Sequence, residues 1–110
     1  MKSYTNLEQS KKLAVILPLE SADMTYIGSD LIPYPYCESK FKGEDNVYPA
    51  WSLASLLDVL PKIVNNETLF IETYAALWHI GYRNIFTARV DKPIDACYEM
   101  IIKLHELNLL

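Results

Sequence analysis

Four side chains in this sequence are of the types that ligate transition metals or act as activated nucleophiles: Cys37, Cys97, His79 and His105. Together they have the ligand types of a zinc site. Structural zinc, however, normally draws at least one ligand pair from a tight C-x2-4-C or H-x3-5-H turn, and neither spacing occurs. Cys97 falls on the apolar side of the C-terminal segment, where a buried thiol behaves as a small hydrophobe. A Cys–His nucleophilic pair needs the fold to carry Cys37 to one of the histidines, and spacing alone gives no sign of that. His79 belongs to the polar side of an alternating run with Arg83, which predicts a solvated imidazole, and His105 lies at the edge of an apolar arc. Asp95 and Glu99 sit one helical turn apart like a carboxylate pair. Asp95 is placed where a helix N-terminus favours negative charge, and Glu99 has Lys103 at i+4, so helix electrostatics accounts for both. The GxSxG, P-loop, GxGxxG and HExxH patterns do not occur, and Gly28, Gly43 and Gly81 form no loop that could cradle a phosphate. No residue is therefore assigned a catalytic, cofactor-binding or metal-ligating role, no cofactor is expected, and a noncatalytic protein is favoured.

The stretch from Glu20 to Trp51 is of another kind. It has no helical period, is interrupted by Pro33, Pro35 and Pro49, and exceeds the usual length of a connection. Its six acids (Glu20, Asp23, Asp30, Glu38, Glu44, Asp45) against Lys40 and Lys42 account for the whole net charge of −4. Tyrosine and tryptophan give large contact area at low entropic cost, and long ordered loops often carry binding. Tyr34, Tyr36, Phe41 and Tyr48 are accordingly the candidate protein-binding residues. The competing reading has these rings closing the hydrophobic core. A third has a small-molecule or enzymatic pocket between the 20–51 segment and a sheet, where Asp23, Cys37 and His79 converge.

The elements that must position these residues follow from periodicity. Thr5 and Glu8 have the spacing of a capping box, opening a first helix with Leu7, Ser10, Leu13, Ala14 and Leu17 on one face and Pro18 as its stop. Ser52 caps a second helix in which Leu53, Leu56, Leu57 and Leu60 recur at i, i+3, i+4 and i+7 until Pro61. Runs rich in β-branched and aromatic residues, Thr68 to Thr73, Leu77 to Arg83 and Ile85 to Val90, predict an antiparallel meander. Trp78, Ile80 and Tyr82 lie on its packed face. From Asp91, with Pro93 in the first turn, a last helix runs to the C-terminus. On its wheel Asp95, Glu99, Lys103 and Glu106 fall within roughly 80° of one another and almost all else is apolar. The expected fold is α+β: three helices packed on a three-stranded antiparallel β-meander, with a long aromatic-rich irregular segment between helices 1 and 2 and a short strand near Asp23 to Ile27. The apolar arc of the last helix exceeds the ~100° that one core requires. It is expected to be sandwiched, or to pair with its twin in a homodimer.

A length of 110 residues fits a single α+β domain over residues 1–110. Fourteen acidic against ten basic side chains argue against nonspecific binding to nucleic acid or an anionic membrane. No apolar run reaches a membrane span, the N-terminus has no signal-peptide core, and the two cysteines fit reduced thiols, so a cytoplasmic protein is expected.

The blocks TNLEQSKKL, SADM, PAWSLASLLDVLP and DKPIDACYEMIIKLHEL, in this order, resemble a family of small uncharacterised proteins encoded in prophages and mobile elements of gut bacteria. The resemblance covers both termini and the second helix, about half the chain. It implies a genomic setting, and no known activity or site residues come with it. Combined with the aromatic segment, it makes the expected function that of a noncatalytic accessory protein of a phage or mobile element, acting through contact with an unknown protein partner.

Overall fold

The computed structural model describes residues 3–86 and 89–110. They form an α+β structure with three α-helices and only antiparallel strand pairings among the described residues. The chain divides into two compact units, Tyr4–Ser55 and a second made chiefly of Leu56–Leu110.

In the first unit α1 (Leu7–Leu13) is followed by a 3-10 turn at Leu19–Ser21 and the strands β1 (Met24–Ile27), β2 (Asp30–Ile32) and β3 (Val47–Ala50). The cap of α1 is Asn6, one residue later than the sequence spacing suggests. Its side chain accepts from the Gln9 amide at 2.8 Å, and Gln9 Oε1 accepts from the Asn6 amide at 3.0 Å. Thr5 is drawn elsewhere. It is fully buried, its amide donates to the Trp51 carbonyl at 2.9 Å, and its hydroxyl accepts from the Trp51 amide at 3.1 Å and shares a bond with Ser10 at 2.7 Å. The Tyr26 hydroxyl donates to the Thr5 carbonyl at 2.9 Å. Desolvation, aided by Tyr4, raises the pKa of that phenol. Buried polar groups tolerate desolvation only when so paired, and this knot joins the N-terminal segment to β1 and Trp51. Leu13, Ala50 and Trp51 are wholly buried around it, and α1 packs on β3.

The sheet order is β2-β1-β3: the short strand expected near Asp23 to Ile27 is β1, and the stretch otherwise expected to be irregular adds β2 and β3 to make a sheet of its own. The fold is therefore not a single three-stranded meander carrying all three helices. The prolines obscure this in the sequence, yet each takes a position that strands permit: Pro33 follows β2, and Pro49 lies on the edge strand β3. A two-residue turn, Gly28–Ser29, joins β1 to β2, with Gly28 at φ +62° where glycine is unstrained.

Helix α2 (Leu53–Val59) is capped as expected by Ser52, whose Oγ accepts from the Ser55 amide at 3.2 Å. Asp23 in turn accepts from the Ser52 amide and hydroxyl. The second unit continues with a hairpin of β4 (Ile63–Val64) and β5 (Glu67–Thr68). Its Asn65–Asn66 turn is left-handed at both residues, the type I′ geometry that asparagine tolerates. Next come β6 (Phe70–Tyr74), β7 (Leu77–Tyr82) and β8 (Ile85–Phe86), the expected meander. Of its third expected strand, Ile85 to Val90, residues 87 and 88 lie outside the described residues, and Val90 meets Trp78 in an isolated bridge. Helix α3 (Pro93–Glu106) packs against β7, with Ile94, Ala96, Cys97, Met100, Ile101 and Leu104 all wholly buried and Glu99, Lys103 and Glu106 exposed. Most of its apolar arc is thus covered in one copy of the chain. Self-association through its C-terminal end would rest on Leu107 and Leu110, which are exposed. Among the described residues no helix is long and apolar enough to cross a membrane.

Candidate binding cleft

The first unit carries a cleft of about 310 Å³ lined by Thr25, Ile27, Ile32, Tyr34, Glu38, Ser39, Lys40 and Phe41. Its floor follows from strand register. Thr25 pairs with Ile32 and Ile27 with Asp30. Directly paired residues point to the same face, so these four share one side of the hairpin. Thr25 is buried, and its hydroxyl donates to the Tyr34 carbonyl at 2.7 Å while the Tyr34 amide donates to the Ile32 carbonyl at 2.8 Å. Those two bonds fold the chain sharply after β2 and lay the Tyr34 ring along the cleft.

The opposite wall is a succession of tight turns. A 3-10 turn covers Tyr36–Glu38, the Phe41 amide donates to Ser39 Oγ at 3.1 Å, and i to i+3 bonds join Lys42 to Ser39, Glu44 to Phe41 and Val47 to Glu44. Tyr36 is the internal strut. Its ring is buried and its hydroxyl accepts from the Gly43 amide at 3.1 Å. The Lys40 ammonium lies 5.2 Å from the centroid of the Phe41 ring, a cation–π distance.

The four candidate protein-binding residues are thus divided by the structure. Tyr34 and Phe41 line the cleft and are exposed, Tyr36 belongs to the core, and Tyr48 is half-buried on β3 with Lys11 Nζ 4.9 Å from its ring centroid. Ile27 and Ile32 join the cleft without having been singled out in the sequence. A hairpin pattern of Met24 to Ile32 around Gly28–Ser29 could have found them, because it places both isoleucines on one face. Asp23 holds Ser52, and Cys37 lies half-buried on the 3-10 turn; neither lines this cleft.

His79 differs from the solvated side chain expected. Its side chain is only 13% exposed, its Nδ1 lies 3.0 Å from Glu72 Oε1, and its ring meets those of Phe70 and Phe86 edge-on, each at 5.3 Å. The cause is cross-strand: Glu72 is its direct partner on β6, and Phe70 and Phe86 both pair with Gly81 two residues on. A Cβ at Gly81 would come within 2.3 Å of the Ile85 carbonyl oxygen, so glycine is what lets β8 approach. Cys97 is wholly buried, and burial pushes its thiol up to about 12. His105 is exposed on α3. Among the described residues no group of three or more His, Cys, Asp and Glu side chains could hold a metal ion.

The chain matches no family model, no curated protein and no solved structure.

Proposed function

We propose that the protein is a noncatalytic accessory factor that binds another protein through the cleft formed by Ile27, Ile32, Tyr34 and Phe41. One observation carries this reading. Four large apolar side chains, 37%, 38%, 49% and 40% exposed in that order, converge on one concave surface that hydrogen-bonded turns hold in place. Aromatic residues clustered at a shaped apolar surface are the usual anchors of protein recognition. The sequence resemblance to mobile-element proteins suggests the genomic setting in which the partner is to be sought.

The test is affinity capture from a lysate of the source organism, comparing the native chain with a Tyr34→Ser/Phe41→Ser variant of equal melting temperature. A photo-crosslinker at Ile32 marks contacts made at the cleft. A protein crosslinked from Ile32 and lost with the double variant supports the proposal, and partners retained equally by both chains overturn it. The cleft volume favours a second reading, since about 310 Å³ reaches the lower end of small-molecule pockets. Thermal stabilisation by a metabolite, abolished in the same variant, would select that reading.

A further inference from the structure

We propose that the segment docking in this cleft is cationic and apolar: an extended peptide whose arginine or lysine is flanked by aliphatic side chains. This deepens the interaction reading above and rests on it. The aliphatic part follows from Ile27, Ile32, Tyr34 and Phe41. The cationic part follows from what surrounds them. Glu38 lines the cleft, and Asp30 is the direct partner of Ile27 and so lies on the same face of the hairpin. Glu44 and Asp45 stand on the turns that follow the wall. All four carboxylates are exposed, and among the described residues no ion pair or side-chain hydrogen bond engages any of them. Acids that are left unneutralised beside exposed rings favour a positive partner, both in steering and in register.

The chain itself shows how a cation sits there. Lys40 Nζ lies 5.2 Å from the Phe41 ring centroid. A guanidinium stacks on aromatic faces and pairs with carboxylates more readily than an ammonium does. An arriving arginine would displace Lys40 from Phe41, place its stem over Tyr34 and direct its guanidinium to Glu38 and Asp30. Lys40 is then a self-competitor, and its removal should tighten binding.

The experiment titrates the full chain, observed by amide NMR shifts at low and at high salt, with three blocked peptides identical except for a central arginine, glutamine or glutamate between leucines. The expected order of affinity is arginine, glutamine, glutamate, with the arginine peptide weakened by salt. Glu38→Gln combined with Asp30→Asn should lower its affinity about tenfold, as two exposed ion pairs allow. Lys40→Ala should raise it severalfold. Equal affinity for all three peptides, with binding lost on Phe41→Ser, would leave the interaction reading standing and overturn the cationic partner. A stronger glutamate peptide, or weaker arginine binding in Lys40→Ala, would overturn it as well. If no peptide shifts any cleft resonance, both readings fall.

Discussion

Two thiols of the same chemical type occupy opposite situations. Cys97 has no exposed surface, and desolvation alone raises its pKa to about 12, so almost no thiolate exists at neutral pH. Cys37 lies half-buried on the 3-10 turn. A thiol-specific reagent on the native protein is expected to modify one cysteine quickly, and the second only after denaturant is added. Rapid modification of both would show that α3 opens. The neighbouring tyrosines 34 and 36 divide in the same way. Tyr34 is 49% exposed and Tyr36 7%, so Tyr34→Ala is expected to cost under ~1 kcal/mol. Tyr36→Ala should cost about 3–5 kcal/mol, the range for deleting a buried aromatic ring. Tyr36→Phe, which removes only the acceptor of the Gly43 amide, should cost about 1 kcal/mol. Chemical denaturation of the three variants checks the order. A double alanine variant at both positions would thus report on the core and mask the cleft.

Among the described elements, the β6–β7 hairpin is built against local preference. Its two-residue turn is Ala75–Ala76, and both residues are left-handed, with φ of 52° and 64°. That is type I′ geometry, for which Asn-Gly is the favoured pair, and a Cβ in the left-handed region costs roughly 1–2 kcal/mol per residue. Ala75→Asn with Ala76→Gly is therefore expected to stabilise the protein by about 1–2 kcal/mol, seen as a melting temperature higher by roughly 5–10 °C. No change would mean that the turn relaxes to another type in solution. The same hairpin marks where local sequence stops being informative. Helix α3 can be read directly, because its one-sided charge strip repeats over fourteen residues. The meander can be read from alternation over β7. The Asn65–Asn66 turn announces itself by residue type, whereas Ala75–Ala76 does not, and its geometry comes only from the pairing of the strands it joins. The sheet in residues 24–50 is harder still. Its strands are three or four residues long, β3 contains a proline, and β1 meets β3 only after the long intervening loop. Of the cleft, the aromatic half could be named from composition. The isoleucine floor depends on the register of that hidden hairpin, and the burial of Tyr36 on the Gly43 contact.

For the molecule as a whole, the perturbed groups act in one direction. Tyr82, nearly fully buried with its hydroxyl donating to the Pro61 carbonyl, is pushed up to about 12 by desolvation, as is Cys97. Glu99 is raised too, first by desolvation and then by the charge of Asp95. A group whose folded pKa exceeds its unfolded value keeps its proton longer in the native state, so stability falls as pH rises through that interval. For Glu99 the interval starts in the ordinary carboxylate range. For the thiol and phenol it runs from about 9 and 10 to about 12. Melting temperature should therefore decline steadily above about pH 9. Tyr82→Phe, which loses the Pro61 bond but cannot ionise, should start below the native chain and converge on it as the pH approaches about 12. Because Glu99 is exposed, solvent screens this effect, and Glu99→Gln is expected to melt at or slightly above the native chain at neutral pH and to merge with it in acid, where the carboxyl is protonated in both folded and unfolded states. Curves for Tyr82→Phe and the native chain that stay parallel over the whole range would mean that the phenol is hydrated in the folded protein, and that the α3 and β7 core is looser than its packing implies.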